Sequence, residues 1–229
     1  MNWRLMIKRA IPVPMLNRVF LALPLLYRTK IVNYETNIST DGIGDLLSQL
    51  DHVLQLKGNI IECGSSRCGA SVIMANYLRS RSIMKTIYAC DSFQGFDRTE
   101  LRRERANGLT QVPEEAFTST SYEYVKFKLA RLGVSEIVVP IKGFFSNTLP
   151  EIDSDFCFAL IDCDLRDSIV YCAEALWPRL ATGARILFDD YTDERFKAAR
   201  HGIDHFVNSH KIEIEEHRML KRLYMIKKA

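Results

Sequence analysis

Two short acidic motifs hold the residues best suited to chemistry. Leu160-Ile161-Asp162-Cys163-Asp164 and Leu187-Phe188-Asp189-Asp190-Tyr191 each end an apolar run in aspartates. Gathered at one place, such carboxylates repel one another and some of their pKa values rise. A hard dication removes that conflict, and Mg²⁺ favours a few carboxylates, waters and substrate oxygens. Asp162, Asp189 and Asp190 form a sensible ligand set, and a cation there would make a substrate hydroxyl more acidic. The plainer alternative is that these aspartates cap helices or pair with Arg166 or Arg195.

A second constellation lies earlier in the chain. Glu62-Cys63-Gly64-Ser65-Ser66-Arg67-Cys68-Gly69-Ala70-Ser71 reads as strand, turn and helix start. Small turn residues let the backbone approach a ligand closely, and the helix N-terminus suits a carboxylate or phosphate. Asp91 ends the next apolar run. An acidic side chain there can take both hydroxyls of a ribose, although it can equally cap a turn. The pair suggests a nucleoside ligand without separating adenosylmethionine from a dinucleotide. The turn is not G-x-G-x-x-G, which counts against NAD.

These residues need elements to position them. Ile43, Leu46, Leu47, Leu50, Val53 and Leu54 follow helical spacing from Asp41 onward. Strands are expected at 59–63, 86–90, 136–141, 156–161 and 184–188, with helices at 70–80, 122–132, 168–176 and about 196–207. The run 156–161 is continuously apolar, as befits a strand buried on both faces. Residues 211–215 and 222–226 read as a closing antiparallel pair. The segment 97–117 is polar and aperiodic and reads as a mobile loop or lid. Alternating strands and helices predict a parallel sheet with ligands at the strands' carboxyl ends, where all the acidic residues above fall.

Composition narrows the class. The chain has 229 residues, 47% hydrophobic and 26% charged, enough for one α/β domain with an extension. The formal net charge of +3 is too small to argue for a nucleic-acid partner. Six cysteines form no C-x-x-C pair and read as reduced, buried thiols of a cytoplasmic protein. No apolar run reaches the length of a spanning helix. Residues 1–40 form an extension to a domain at 41–229. The extension's first thirty residues hold Arg4, Lys8, Arg9, Arg18, Arg28 and Lys30 and no acid. Three roles stay open for them: an active-site lid, a homo-oligomer interface, or a peripheral contact with the inner membrane face.

The motifs in order resemble the macrocin O-methyltransferase (TylF-type) group of class I methyltransferases, from about Gly58 to Phe206. The resemblance rests on Glu62-Cys63-Gly64 through Gly69, Asp91-Ser92-Phe93-Gln94-Gly95-Phe96 and Lys142-Gly143-Phe144-Phe145-Ser146-Asn147-Thr148-Leu149-Pro150. It continues through Asp162-Cys163-Asp164-Leu165, Leu176-Trp177-Pro178-Arg179-Leu180 and Asp189-Asp190-Tyr191. It implies a Rossmann-like, seven-stranded, mostly parallel sheet with an antiparallel last strand and helices on both faces. It implies S-adenosylmethionine contacts at Glu62, Gly64, Ser65, Gly69 and Ser71, at Asp91, Ser92 and Phe93, and at Gly143, Phe144 and Asp162. It further implies Mg²⁺ at Asp162, Asp189 and Asp190, and methylation of a sugar hydroxyl on a small molecule or surface glycan. The chain departs from the group's pattern at Arg166, where a tyrosine is usual, and at Cys68, where glycine is usual. Arg166 is expected beside the acceptor, where it could hold an acidic group or pair with Asp167 or Glu194. Asp164, if it is not a metal ligand, and His201, if its helix faces the cleft, are the candidate general bases. A nicotinamide oxidoreductase and a non-catalytic binding module are the rival readings.

Overall fold

The computed structural model describes residues 35–220 and 223–229. Nearly all of the basic extension, with its lid, oligomer and membrane readings, lies outside the described residues. No helix among the described residues is long and apolar enough to cross a membrane.

Helix α1 (Thr40–Asp51) is capped by Ser39, whose Oγ accepts the Gly42 N–H. There follow β1 (Asn59–Cys63), α2 (Gly69–Ser80), β2 (Ile87–Asp91), α3 (Arg98–Ala106), α4 (Tyr122–Arg131) and β3 (Val138–Lys142). A short helical turn, α5 (Phe145–Thr148), leads to β4 (Phe156–Ile161), α6 (Arg166–Leu176), β5 (Leu180–Phe188) and α7 (Lys197–Ser209). The hairpin of β6 (Ile214–Leu220) and β7 (Leu223–Lys228) closes the chain. Its pairing is antiparallel as expected, with both strands a few residues later than the sequence suggested.

The sheet order is β3-β2-β1-β4-β5-β7-β6, and β7 alone runs against the rest. The order reverses direction between β1 and β4, which makes their carboxyl ends the switch point where α/β sheets bind ligands. Strand alternation divides the core in two. Ile60, Phe158 and Leu187 pack under α1, α2 and α4, while Ile61, Ala159 and Ile186 pack under α6 and α7. Burying one such Ile, Leu or Phe side chain contributes roughly 1.5–3 kcal/mol. All six cysteines are buried free thiols within these clusters or beside the turns they support.

The expected loop at 97–117 is corrected by the structure: residues 98–106 form helix α3. Asp97 caps it, with Oδ1 accepting the Thr99 and Glu100 N–H groups at 2.9 Å. Apolar periodicity is missing because the inward face is Glu100, Leu101 and Glu104, and the outward face is Arg98, Arg102, Arg103 and Arg105. The end of this segment is tied down as well, through an antiparallel bridge between Thr110 and Phe196.

Candidate functional site

The strand ends continue their ladders for one residue and then turn away. Gly64 N–H donates to the Cys90 carbonyl (2.9 Å), Asp162 N–H to Cys63 (2.8 Å), Asp189 N–H to Ile161 (3.2 Å) and Gly143 N–H to Asp91 (3.0 Å). The last side chains of β1, β2, β4 and β5 therefore share one rim. They open into a cleft of about 810 Å³. Gly64 is required where β1 ends, since its φ is +91° and any side chain would strike the Asp162 carbonyl.

One half of the cleft is built from β1, β2 and α2. Gly64, Ser65, Gly69, Asp91 and Ser92 line it, joined by Gly143 and Phe144 from the end of β3. Asp91 is held by backbone: Oδ2 accepts the Ser66 N–H at 2.8 Å and Oδ1 the Phe93 N–H at 2.6 Å. Burial nevertheless raises its pKa, with those two bonds opposing the rise. Glu62 also lines the cleft, and burial pushes its pKa up to about 8 although the Ser71 hydroxyl donates to it. Cys68 begins α2 in a left-handed conformation (φ 54°) without a side-chain cap, and Gly69 and Ala70 of the first turn line the cleft. The left-handed backbone gives a reason for a glycine at this position.

Two sequence-selected residues work from behind the surface. Ser71 and Phe93 do not line the cleft. Ser71 braces Glu62, and Phe93 is buried in the core with its ring 5.5 Å from that of Tyr122. Conversely, sequence reasoning missed Glu35, Thr36 and Asn37, which line the cleft. The Glu35 and Thr36 backbone packs where a Gly69 side chain would stand. Glu35 Oε2 accepts the Tyr124 hydroxyl at 2.6 Å and lies 3.2 Å from the fully buried Lys128 ammonium. Sequence carries little signal for that buried pair, because a lone Glu before a helix looks like any surface acid.

The other half of the cleft is acidic. Asp162, Asp164 and Asp190 each bring an oxygen within 4.8 Å of the other two. Asp189 lines the same cleft, its Oδ1 accepting the Asp190 N–H at 2.8 Å. The convergent set therefore includes Asp164, which the sequence offered as a base if it is not a metal ligand. Asp164 and Asp190 are buried and both left-handed, with φ of 65° and 60°. Left-handed backbone costs roughly 1–2 kcal/mol per residue, least for Asp and Asn. Burial, then the charge of Asp162, then Asp190 and Asp189, hold the Asp164 carboxyl well above the usual carboxylate range. Buried like charges on strained backbone are expensive, and they suit a hard cation. Phe96, Phe117, Phe145, Tyr171 and Phe196 also line the cleft.

Among the described residues, no histidine lines the cleft. His201 is on the exposed side of α7, whose buried face is Ala198, Ala199, Ile203 and Phe206, so the condition attached to its role is not met. Arg166 does not line the cleft either, and its guanidinium donates to Asp167 at 2.6 Å. Among the described residues, two arginines do line it: Arg195, which grips Asp193 through Nη2 (2.6 Å) and Nε (3.0 Å), and Arg67, whose Nη2 donates to the Ser119 hydroxyl at 2.7 Å.

Comparison with known proteins adds family and fold. The model of the macrocin-O-methyltransferase (TylF) family matches residues 38–220. An 8-demethyl-8-(2,3-dimethoxy-alpha-L-rhamnosyl)-tetracenomycin-C 4'-O-methyltransferase of Streptomyces olivaceus is 28% identical over 156 residues, 63% of this chain and 57% of the relative. A demethyldecarbamoylnovobiocin O-methyltransferase of Streptomyces niveus is 29% identical over 146 residues, 58% of this chain and 53% of the relative. The matched stretch thus spans little more than half the length of these curated relatives. The solved O-methyltransferase NovP superposes with a TM-score of 0.70 at 21% identity, over 85% of this chain and 82% of that one.

Proposed function

The chain belongs to the macrocin-O-methyltransferase (TylF) family, and from that premise we propose that it is an S-adenosylmethionine-dependent O-methyltransferase. Its acceptor would be a hydroxyl of a glycosylated small molecule, and a divalent cation, Mg²⁺ in the first instance, would assist. We assign the catalytic unit to residues 41–229. One observation carries the reading: a nucleoside-type cradle at Glu62 and Asp91 and a converging carboxylate set at Asp162, Asp164 and Asp190 open into the same cleft.

The residues present fit both groups. Glu62 is a buried carboxyl whose raised pKa an amino-acid ammonium beside it would lower. The start of α2 suits that amino acid's carboxylate. Asp91 keeps acceptor lone pairs for ribose hydroxyls beyond its two backbone bonds. When bound, the sulfonium cofactor supplies an electrophilic methyl group and the cation supplies Lewis acidity. The chain's own residues do the rest. Asp162, Asp164 and Asp190 would hold the cation, with Asp189 keeping Asp190 aimed inward. The cleft's aromatic rings exclude water and offer flat apolar faces to a sugar ring. Glu35 to Asn37 close the cofactor end, which favours a lid role for the end of the extension.

Calorimetric titration with S-adenosylhomocysteine, with and without Mg²⁺, tests the reading. Micromolar binding, followed by labelled-methyl transfer to desmethyl glycosides in the presence of Mg²⁺, is the expected result. Absence of binding would remove the enzyme reading in favour of a non-catalytic module, and binding of nicotinamide dinucleotide instead would favour an oxidoreductase.

A further inference from the structure

Helix α6 starts at Arg166, just beyond Asp164, and its N-cap residue is Leu165, which offers no capping side chain. The first N–H groups of any helix need partners from outside it. Here they come from α3. Glu104 Oε1 accepts the Arg166 N–H at 2.7 Å, and Glu100 Oε1 accepts the Ser168 N–H at 2.9 Å. Glu100 Oε2 also accepts the Ser168 hydroxyl at 2.7 Å. Both glutamates are buried. A carboxylate at a helix N-terminus is favoured by the dipole as well as by the bonds. On the far side, Gly202 of α7 packs so closely that a side chain there would meet the Arg166 carbonyl at 2.9 Å. The first turn of α6 is thus clamped between α3 and α7, directly after the acidic turn of the cleft.

We propose that Glu100 and Glu104 are positioning residues that cap α6 from α3 and so hold the Asp162–Asp164 turn in its converged geometry. The proposal rests on the methyltransferase reading of the cleft. It explains why α3 buries glutamates where a surface helix usually buries leucines: the helix is fastened to a row of N–H groups. It also makes the acceptor wall and the carboxylate set one mechanical unit, since Asp97 and Glu100 line the cleft from α3. An α3 displaced from α6 would leave two buried N–H groups without partners and the turn before them unsupported.

Glu104 gives the cleaner test, because it does not line the cleft and cannot touch the acceptor. The full-length chain and its Glu104→Ala, Glu104→Gln and Glu104→Asp variants would be compared. Three quantities are read: Mn²⁺ affinity by electron paramagnetic resonance, S-adenosylhomocysteine affinity by calorimetry, and amide exchange at residues 166–169. Glu104→Ala is expected to weaken Mn²⁺ binding and lower kcat by about tenfold each, the usual effect of losing an outer support of a metal site. Acceptor KM and S-adenosylhomocysteine affinity stay near wild type, and exchange at 166–169 quickens. Glu104→Gln, which keeps the accepting oxygen, restores most of the loss. Should the alanine variant fail to fold, Glu104→Asp, which draws the oxygen back by one methylene, shows the same pattern at smaller size. Wild-type exchange and Mn²⁺ affinity in the folded variants overturn the proposal, as does an equal loss of both ligands. A wild type that binds neither Mn²⁺ nor S-adenosylhomocysteine sinks the function proposed above instead, and the exchange comparison then decides the capping by itself.

Discussion

The two ends of the cleft are built on opposite principles. At the cofactor end the carboxylates are held by neutral donors of the chain: Asp91 accepts two backbone N–H groups and Glu62 takes the Ser71 hydroxyl. At the acceptor end Asp162, Asp164 and Asp190 face one another, two of them on left-handed backbone. The first end keeps its two carboxyls on separate sets of donors. The second sets like-charged groups against one another, and burial together with that charge raises the Asp164 pKa. Ligand binding should therefore be lost in different ways at the two ends.

The largest effect is expected at the acceptor end. Asp190→Asn removes one charge of the convergent set, and Mg²⁺-dependent turnover should fall by at least roughly 100-fold, beyond the loss typical of an outer support. S-adenosylhomocysteine affinity should stay within about twofold, and the folded state should gain stability, since a buried like charge has gone. Turnover by labelled-methyl transfer and a thermal melt check both halves. If affinity for the cofactor analogue falls in step with turnover, the two ends are not independent and the contrast between them fails.

Next in size is Asp91→Ala at the cofactor end. It frees the Ser66 and Phe93 N–H groups and removes the ribose acceptor. Hydrogen bonds to a charged group are worth about 1.5–3 kcal/mol, so S-adenosylhomocysteine affinity should drop by roughly 10- to 100-fold. Mn²⁺ affinity at the carboxylate set should not change, and calorimetry of the two ligands on one variant decides it. The two substitutions together give crossed outcomes only if the division drawn here is real.

That division also sets what could be read from the sequence. The cofactor end was legible because its residues follow one another along strand, turn and helix, where local spacing is geometry. The apolar run Phe156–Ile161 announced a strand buried on both faces, and it is one. Asp162, Asp189 and Asp190 were legible as a rim because neighbouring parallel strands must end together. Which oxygens converge was not legible, since it depends on left-handed turns at Asp164 and Asp190 that no periodicity encodes. Helix α3 was missed because the search was for apolar spacing, and its inward positions are acids. A signal was present: Asp97 followed three residues later by Glu100 matches a helix start. In the structure Glu100 reaches forward to Ser168 rather than back to Asp97. His201 sits on a helix whose buried face is written plainly in Ala198, Ala199, Ile203 and Phe206, so its exposure could have been read from the same pattern.

The smallest effect sharpens the comparison from the cofactor end. Glu62 has its pKa raised from 4.5 to about 8, chiefly by burial. A raised carboxyl binds its proton more tightly in the folded chain than in the unfolded one. Its contribution to stability is therefore complete below about pH 4.5 and is lost as pH climbs toward 8, at no more than about 1.4 kcal/mol per pH unit. Glu62→Gln cannot ionise, so between pH 5 and 8 its melting temperature should fall less steeply than that of wild type. Saturating S-adenosylhomocysteine should flatten the wild-type slope too, because an ammonium placed against Glu62 favours its charged form. Melts across this pH range, with and without the ligand, separate the cases. Parallel slopes for wild type and variant would mean that Glu62 titrates in the folded chain as it does unfolded. A slope that the ligand leaves unchanged would mean that its ammonium lies elsewhere, and the cofactor end would have to be turned around in the cleft.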